Sequence, residues 1–150
     1  MREITFRGKR LDDGEWLQGD LRQFKAGMYI ESFRADGCKL NYVVDPKTVG
    51  QFTGLTDKNG TKIFEGDIIK IEHSDYAFDG MSLEYRTERG VVAYDDWGMV
   101  GVVTKKYKGQ NVWSDFFLVA SLTDRIESWT FEILGNIYDN PELIGGADNG

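Results

Sequence analysis

A pattern that occurs twice constrains this chain more than any single residue does. Phe6-x-Gly8, Asp13-Gly14 and Gly19-Asp20-Leu21 recur as Phe52-x-Gly54, Asn59-Gly60 and Gly66-Asp67-Ile68, 46 residues further on as far as the central glycine. The second copy carries one extra residue before its Gly-Asp. Strand side chains alternate between faces, so one extra residue turns every later side chain over unless a bulge absorbs it. Asp-Gly and Asn-Gly tolerate positive φ at both central positions of a type I′ turn, whose twist matches that of paired strands. Asp13-Gly14 and Asn59-Gly60 are therefore read as hairpin tips, and Gly66-Asp67 as a further turn. Two units are too few for a solenoid, which needs about three or more repeats.

The rest of the chain extends the pattern. Eighteen glycines against two prolines, with Val, Ile, Phe, Tyr and Trp in short runs, favour strands joined by tight turns. Strands are expected at 67–75 and 82–94 around a turn at Asp79-Gly80, then from Met99 to Thr104 after a tight turn at Asp95-Asp96-Trp97-Gly98. A polar hairpin tip follows at 105–111, then an apolar strand at 116–121 and a last strand at 130–138 that Asn140-Pro141 ends. One short helix is expected at 124–129, where Asp124 and Glu127 have the spacing of an N-terminal cap. The fold class is all-β with little helix. Residues 1–60 form a hairpin-based subdomain packed on an SH3-like small β-barrel of residues 61–144, and 145–150 form a flexible tail. No linker composition separates the two parts, so one rigid unit is expected.

Composition narrows the function classes. The net charge is −7, 41% of residues are hydrophobic, and there is one cysteine (Cys38) and one histidine (His73). An internal disulfide is excluded, and a zinc or haem site has almost no ligands to draw on. No apolar run approaches the roughly 20 residues that span a bilayer, and the start lacks a signal peptide's apolar stretch. A cytoplasmic protein with no membrane contact and no cofactor is expected.

Candidate chemistry is thin. His73-Ser74-Asp75 has triad residue types, but strand neighbours point to opposite faces and cannot form a convergent relay. Asp57-Lys58-Asn59-Gly60 has its glycine two positions too early for an EF-hand loop. Asp95-Asp96 with Asp67 or Asp75 could form the carboxylate cluster of a metal-dependent enzyme, yet Asp at a turn usually bonds its own backbone. The basic stretches Arg7, Lys9, Arg10 and 105–108 favour nucleic acid. Against them, residues 65–99 hold nine acidic and three basic residues, and 115–150 hold seven and one. Nucleic acid is therefore not the expected partner. The turn Tyr94, Asp95, Asp96, Trp97 sets two aromatics beside two charges, the combination enriched at interfaces; the same two rings could instead pack on each other across a hairpin.

One further property is carried by an ordered string of residues. It begins with Met1-Arg2-Glu3-Ile4-x-Phe6-Arg7-Gly8-Lys9-Arg10 and Asp13-Gly14-Glu15-Trp16, then Thr48-Val49-Gly50-Gln51-Phe52-Thr53-Gly54-Leu55 and Asp57-Lys58-Asn59-Gly60. It closes with Ile63-Phe64-Glu65-Gly66-Asp67-Ile68 and Gly135-Asn136-Ile137-Tyr138-Asp139-Asn140-Pro141-Glu142-Leu143. In these the chain resembles the YopX family of bacteriophage and prophage proteins. The resemblance implies a mainly β fold, a phage or prophage origin and scope for self-association. It implies no reaction and no catalytic residues. The expectation is a non-enzymatic accessory protein that binds a host or phage macromolecule, in one form as an acidic mimic of DNA. The alternatives are a carboxylate-based metal enzyme and a minor component of the phage particle.

Overall fold

The structure, a computed structural model, describes residues 3–76, 80–113 and 129–144. Among these, the strands are β1 (Phe6–Lys9), β2 (Trp16–Phe24), β3 (Gly27–Phe33), β4 (Lys39–Val44), β5 (Gly50–Thr56) and β6 (Lys62–Phe64). They continue with β7 (Asp67–Tyr76), β8 (Leu83–Tyr94), β9 (Val100–Tyr107), β10 (Gln110–Trp113) and β11 (Trp129–Asn136). Short 3-10 turns at Pro46–Thr48 and Pro141–Leu143 are the only helical elements among them. The protein is all-β, with two antiparallel sheets ordered β4-β3-β2-β1-β5-β6 and β10-β9-β8-β7-β11. Neither order closes on itself, so the SH3-like closure expected from sequence is not found among the described residues. The expected strand 116–121 and tail 145–150 lie outside those residues, as does most of the expected helix 124–129; its last residue, Trp129, opens β11.

The chain divides into two compact units, Met1–Gly54 and Leu55–Gly150. In the first, antiparallel register places Leu21 opposite Ile30 and Ile30 opposite Tyr42, so these share a face. Ile30 and Val44 on that face are fully buried. The opposite face is polar and aromatic. Trp16 lies directly across from Lys9, and its ring receives the Arg7 guanidinium at 4.7 Å and the Lys9 ammonium at 5.7 Å. Glu31, near the middle of this face, accepts from Arg22 at 2.7 Å and from Lys39 at 2.6 Å.

The second unit is built on the long β7–β8 hairpin, in which Ile68 faces Val91 and Tyr76 faces Leu83. Its core joins Leu55, Ile63, Ile69, Ile71, Val92, Val100 and Val102, with Tyr94, Phe131 and Ile133 packed against them. Along 83–88 Leu83, Tyr85 and Thr87 alternate with Glu84, Arg86 and Glu88, yet Leu83, Glu84, Tyr85, Arg86 and Thr87 are all exposed. The pairing explains this: β9 meets β8 only over 91–94, so among the described residues that end of the hairpin has β7 alone beside it.

The two repeat copies fold differently, and the extra residue is the reason. In the first copy Gly19-Asp20 runs straight through the middle of β2. In the second, Gly66 takes φ +92° and the Asp67 carboxylate accepts the Phe64 N–H at 2.8 Å, so the chain turns between β6 and β7. The added position becomes a corner that starts a new strand rather than a slipped register.

The tips also depart from the type I′ expectation. Gly14 and Gly60 have positive φ, but Asp13 and Asn59 do not. At 57–61 the Gly60 N–H donates to the Asp57 carbonyl at 2.9 Å and the Asp57 N–H to the Thr61 carbonyl at 2.8 Å. This is the three-residue hairpin loop, in which only the glycine is left-handed. Asp57 selects it, because its Oδ1 accepts the N–H groups of Asn59 and Thr61, both at 2.9 Å. The two-residue turn with both φ values positive occurs instead at Lys108 (+48°) and Gly109 (+80°), between Tyr107 and its partner Gln110.

Candidate functional site

The pattern at 57–61 is built again at 95–99. The Gly98 N–H donates to the Asp95 carbonyl at 3.0 Å, the Asp95 N–H to the Met99 carbonyl at 2.8 Å, and Gly98 has φ +78°. Asp95 Oδ1 accepts the N–H groups of Trp97 at 2.9 Å and Met99 at 2.8 Å. Asp-x-x-Gly is thus one turn module used twice, 38 positions apart, and its sequence signal is the Asp three residues before the Gly. Reading Asn-Gly and the tight turn separately missed it.

The two copies differ in what surrounds them. At 57–61 the turn lies along the outer edge of β11: Asp57 Oδ2 accepts the Ile133 N–H at 3.3 Å and the Lys58 N–H donates to the Phe131 carbonyl at 2.8 Å. Lys58 Nζ also reaches Glu132 at 3.3 Å. This edge strand is therefore capped by a turn instead of being left open to pair with another chain. Asp57 is only 8% exposed. Its burial pushes the carboxyl pKa up, but the N–H groups of Thr61, Ile133 and Asn59 outweigh that and hold it below the ordinary carboxylate value.

At 95–99, Asp95 and Gly98 form the whole turn, and nothing in that geometry calls for an aromatic between them. Of the two residues between them, Trp97 is 89% exposed, and Met99 just past the turn is 45% exposed. Asp96 is exposed too. Tyr94 instead packs against the core of its unit. Of the four residues singled out by sequence, Tyr94 anchors, Asp95 shapes, and Asp96 and Trp97 are displayed. An exposure this high leaves the indole almost no protein surface to pack on, which disfavours the reading in which the two rings cover each other.

The remaining sequence candidates are tied into local structure. Asp13 Oδ1 accepts the Glu15 N–H at 2.9 Å, and Gly66 lies under the Tyr138 ring. Asp67 opens β7, where its carboxylate accepts the Phe64 N–H at 2.8 Å, and Asp75 lies near the other end of that strand, opposite Glu84 and away from the end that leads to Asp95. Among the described residues no three His, Cys, Asp or Glu side chains gather where they could hold a cation. Of the basic cluster, Arg7 and Lys9 lie over Trp16, and Arg10 pairs with Asp12 at 2.6 Å and stacks on Tyr42. Charge is unevenly divided: 1–54 hold nine basic and eight acidic residues, 55–150 nine basic and seventeen acidic.

Comparison with known proteins gives a family. The family model described as YopX protein matches residues 5–145, nearly the whole chain, and the chain belongs to that family. Among solved structures it is similar to the crystal structure of protein EF1440 from Enterococcus faecalis, with 22% identity and a TM-score of 0.49 over 96% of this chain and 99% of that one. No curated protein matches.

Proposed function

We propose that this YopX-family protein is a non-catalytic phage or prophage accessory protein that binds a host protein in the bacterial cytoplasm. The observation that carries the reading is Trp97. A large indole held in solvent by a turn that does not need it exposes apolar surface at a cost, and Trp is enriched among the residues that dominate binding interfaces. With Asp96 and Met99 beside it, the tip suits an apolar socket rimmed by basic side chains. The excess of acidic residues in 55–150 points the same way, because a negative field speeds encounter with a positive surface and makes it salt-sensitive. A host protein that ordinarily binds nucleic acid has such a surface, and on this reading the acidic unit occupies it in place of DNA.

The test is a tagged capture from nuclease-treated host lysate at low and moderate salt, read by mass spectrometry, with wild type and Trp97→Ala side by side. A stoichiometric nucleic-acid-binding protein that salt releases and Trp97→Ala loses supports the reading. Capture unchanged by the substitution refutes the assignment to the tip, and recovery of bait alone refutes binding of a lysate protein.

A further inference from the structure

The 57–61 turn holds an Asn-Gly pair in an exposed position, and its hydrogen bonds bear on a reaction that this pair undergoes by itself. The Gly60 nitrogen can attack the Asn59 side-chain carbonyl carbon. A C–N bond forms, the bond to the amide nitrogen breaks, and ammonia leaves behind a five-membered succinimide. Water then opens the ring to Asp or to isoaspartate, in which the main chain runs through the side-chain carbon. Glycine is the most permissive successor because it has no Cβ to obstruct the ring. The attacking nitrogen must first give up its proton and be free to swing toward the side chain.

We infer that Asn59 is a spontaneous modification site whose rate is gated by the Asp57 cage. In the folded protein the Gly60 N–H is held by the Asp57 carbonyl at 2.9 Å, and the Asn59 N–H by the Asp57 carboxylate, also at 2.9 Å. The Asn59–Gly60 peptide that must rotate to close the ring is thereby pinned, and so is the peptide before it. The pin is not only local, since the same carboxylate accepts the Ile133 N–H from β11, 76 residues along the chain. Ring closure therefore requires the turn to open, and opening it means releasing the edge of β11. The Asn59 side chain itself is exposed and Gly60 has open space around it, so water reaches the site once the turn lets go.

The product feeds back on the cage. Conversion to Asp adds a negative charge two residues from the Asp57 carboxylate. Conversion to isoaspartate adds a main-chain carbon between the Asn59 and Thr61 N–H groups, which now meet at a single oxygen, Asp57 Oδ1. Either product loosens the grip of 57–61 on β11, so the modified chain opens more readily than the one that aged into it.

The experiment incubates the full-length chain at mildly alkaline pH in 18O water, native and unfolded in urea, and follows Asn59 by peptide mapping. The Asn149-Gly150 pair, outside the described residues, is read on a separate peptide. Native Asn59 is expected to convert at least about tenfold more slowly than in the unfolded chain, with Asp57→Asn narrowing the gap. Equal native and unfolded rates overturn the gating, and no conversion in the unfolded chain overturns the site. A folded Asp57→Asn protein that ages no faster than wild type overturns the role of Asp57. Should that variant fail to fold, amide hydrogen exchange in the wild type decides. Slow exchange of the Gly60 N–H supports the gate, and exchange at an unprotected rate refutes it.

Discussion

Replacing Asp57 by alanine should cost far more than replacing Asp95, although the two aspartates form the same turn. Each accepts two N–H groups inside its own loop, an arrangement comparable to a helix N-cap and worth about 0.5–2 kcal/mol. Asp57 alone also accepts the Ile133 N–H; losing it leaves a donor unsatisfied at a covered strand edge, about 1–3 kcal/mol more. Asp57→Ala should therefore lose about 1.5–5 kcal/mol and Asp95→Ala about 0.5–2 kcal/mol. Urea unfolding followed by tryptophan fluorescence measures both. With a urea slope of roughly 2 kcal/mol/M, the Asp57→Ala midpoint falls by about 0.8–2.5 M. Equal losses for the two variants would refute the claim that Asp57 fastens β11. The sign of the pH effect follows from the lowered Asp57 pKa. Its stabilisation is complete above the unfolded carboxylate value of about 3.9 and is lost as pH falls through the lower folded value. The difference between wild type and Asp57→Asn should thus be constant from about pH 5 to 8 and shrink below about pH 4. A difference that shrinks between pH 6 and 8 would mean another group is responsible.

Trp97→Ala should leave the unfolding free energy within about 0.5 kcal/mol of wild type, because the indole touches little of its own protein; a larger loss would show that it packs. Gly66→Ala should cost about 1–3 kcal/mol, since alanine is strained at φ +92° and its Cβ would meet the Tyr138 ring at 3.1 Å, which thermal unfolding can test. Phe64→Ala, at a buried position, should cost about 3–5 kcal/mol in the same assay. Glu31 should titrate below the ordinary glutamate range by side-chain NMR, because Lys39 and Arg22 both donate to its carboxylate; Lys39→Met should raise its pKa.

Much of this protein is determined locally and can be read in order along the chain. The hairpin corners at 13–14, 59–60, 66–67, 95–98 and 108–109 fall where Gly follows Asp, Asn, Glu, Trp or Lys, because glycine alone takes positive φ without strain. The strands between them follow from alternation and β-branched runs such as 68–71 and 91–92. The turn at Asp95 is legible for the same reason, since its carboxylate accepts the N–H groups of Trp97 and Met99, its own neighbours in the chain.

Two things were decided by tertiary structure. Which of two like turns is fastened depends on a partner 76 residues away, and nothing in Asp57-Lys58-Asn59-Gly60-Thr61 announces Ile133. Which aromatic is displayed is also non-local: Tyr94 and Trp97 look alike in sequence, but one ends a strand that borders a core and the other sits past it, at the tip. A local bond is fixed by residues that are neighbours in the chain, whereas exposure is fixed by everything that does or does not fold against a residue. Sequence therefore set where this chain bends and left to packing which bends are anchored and which face outward.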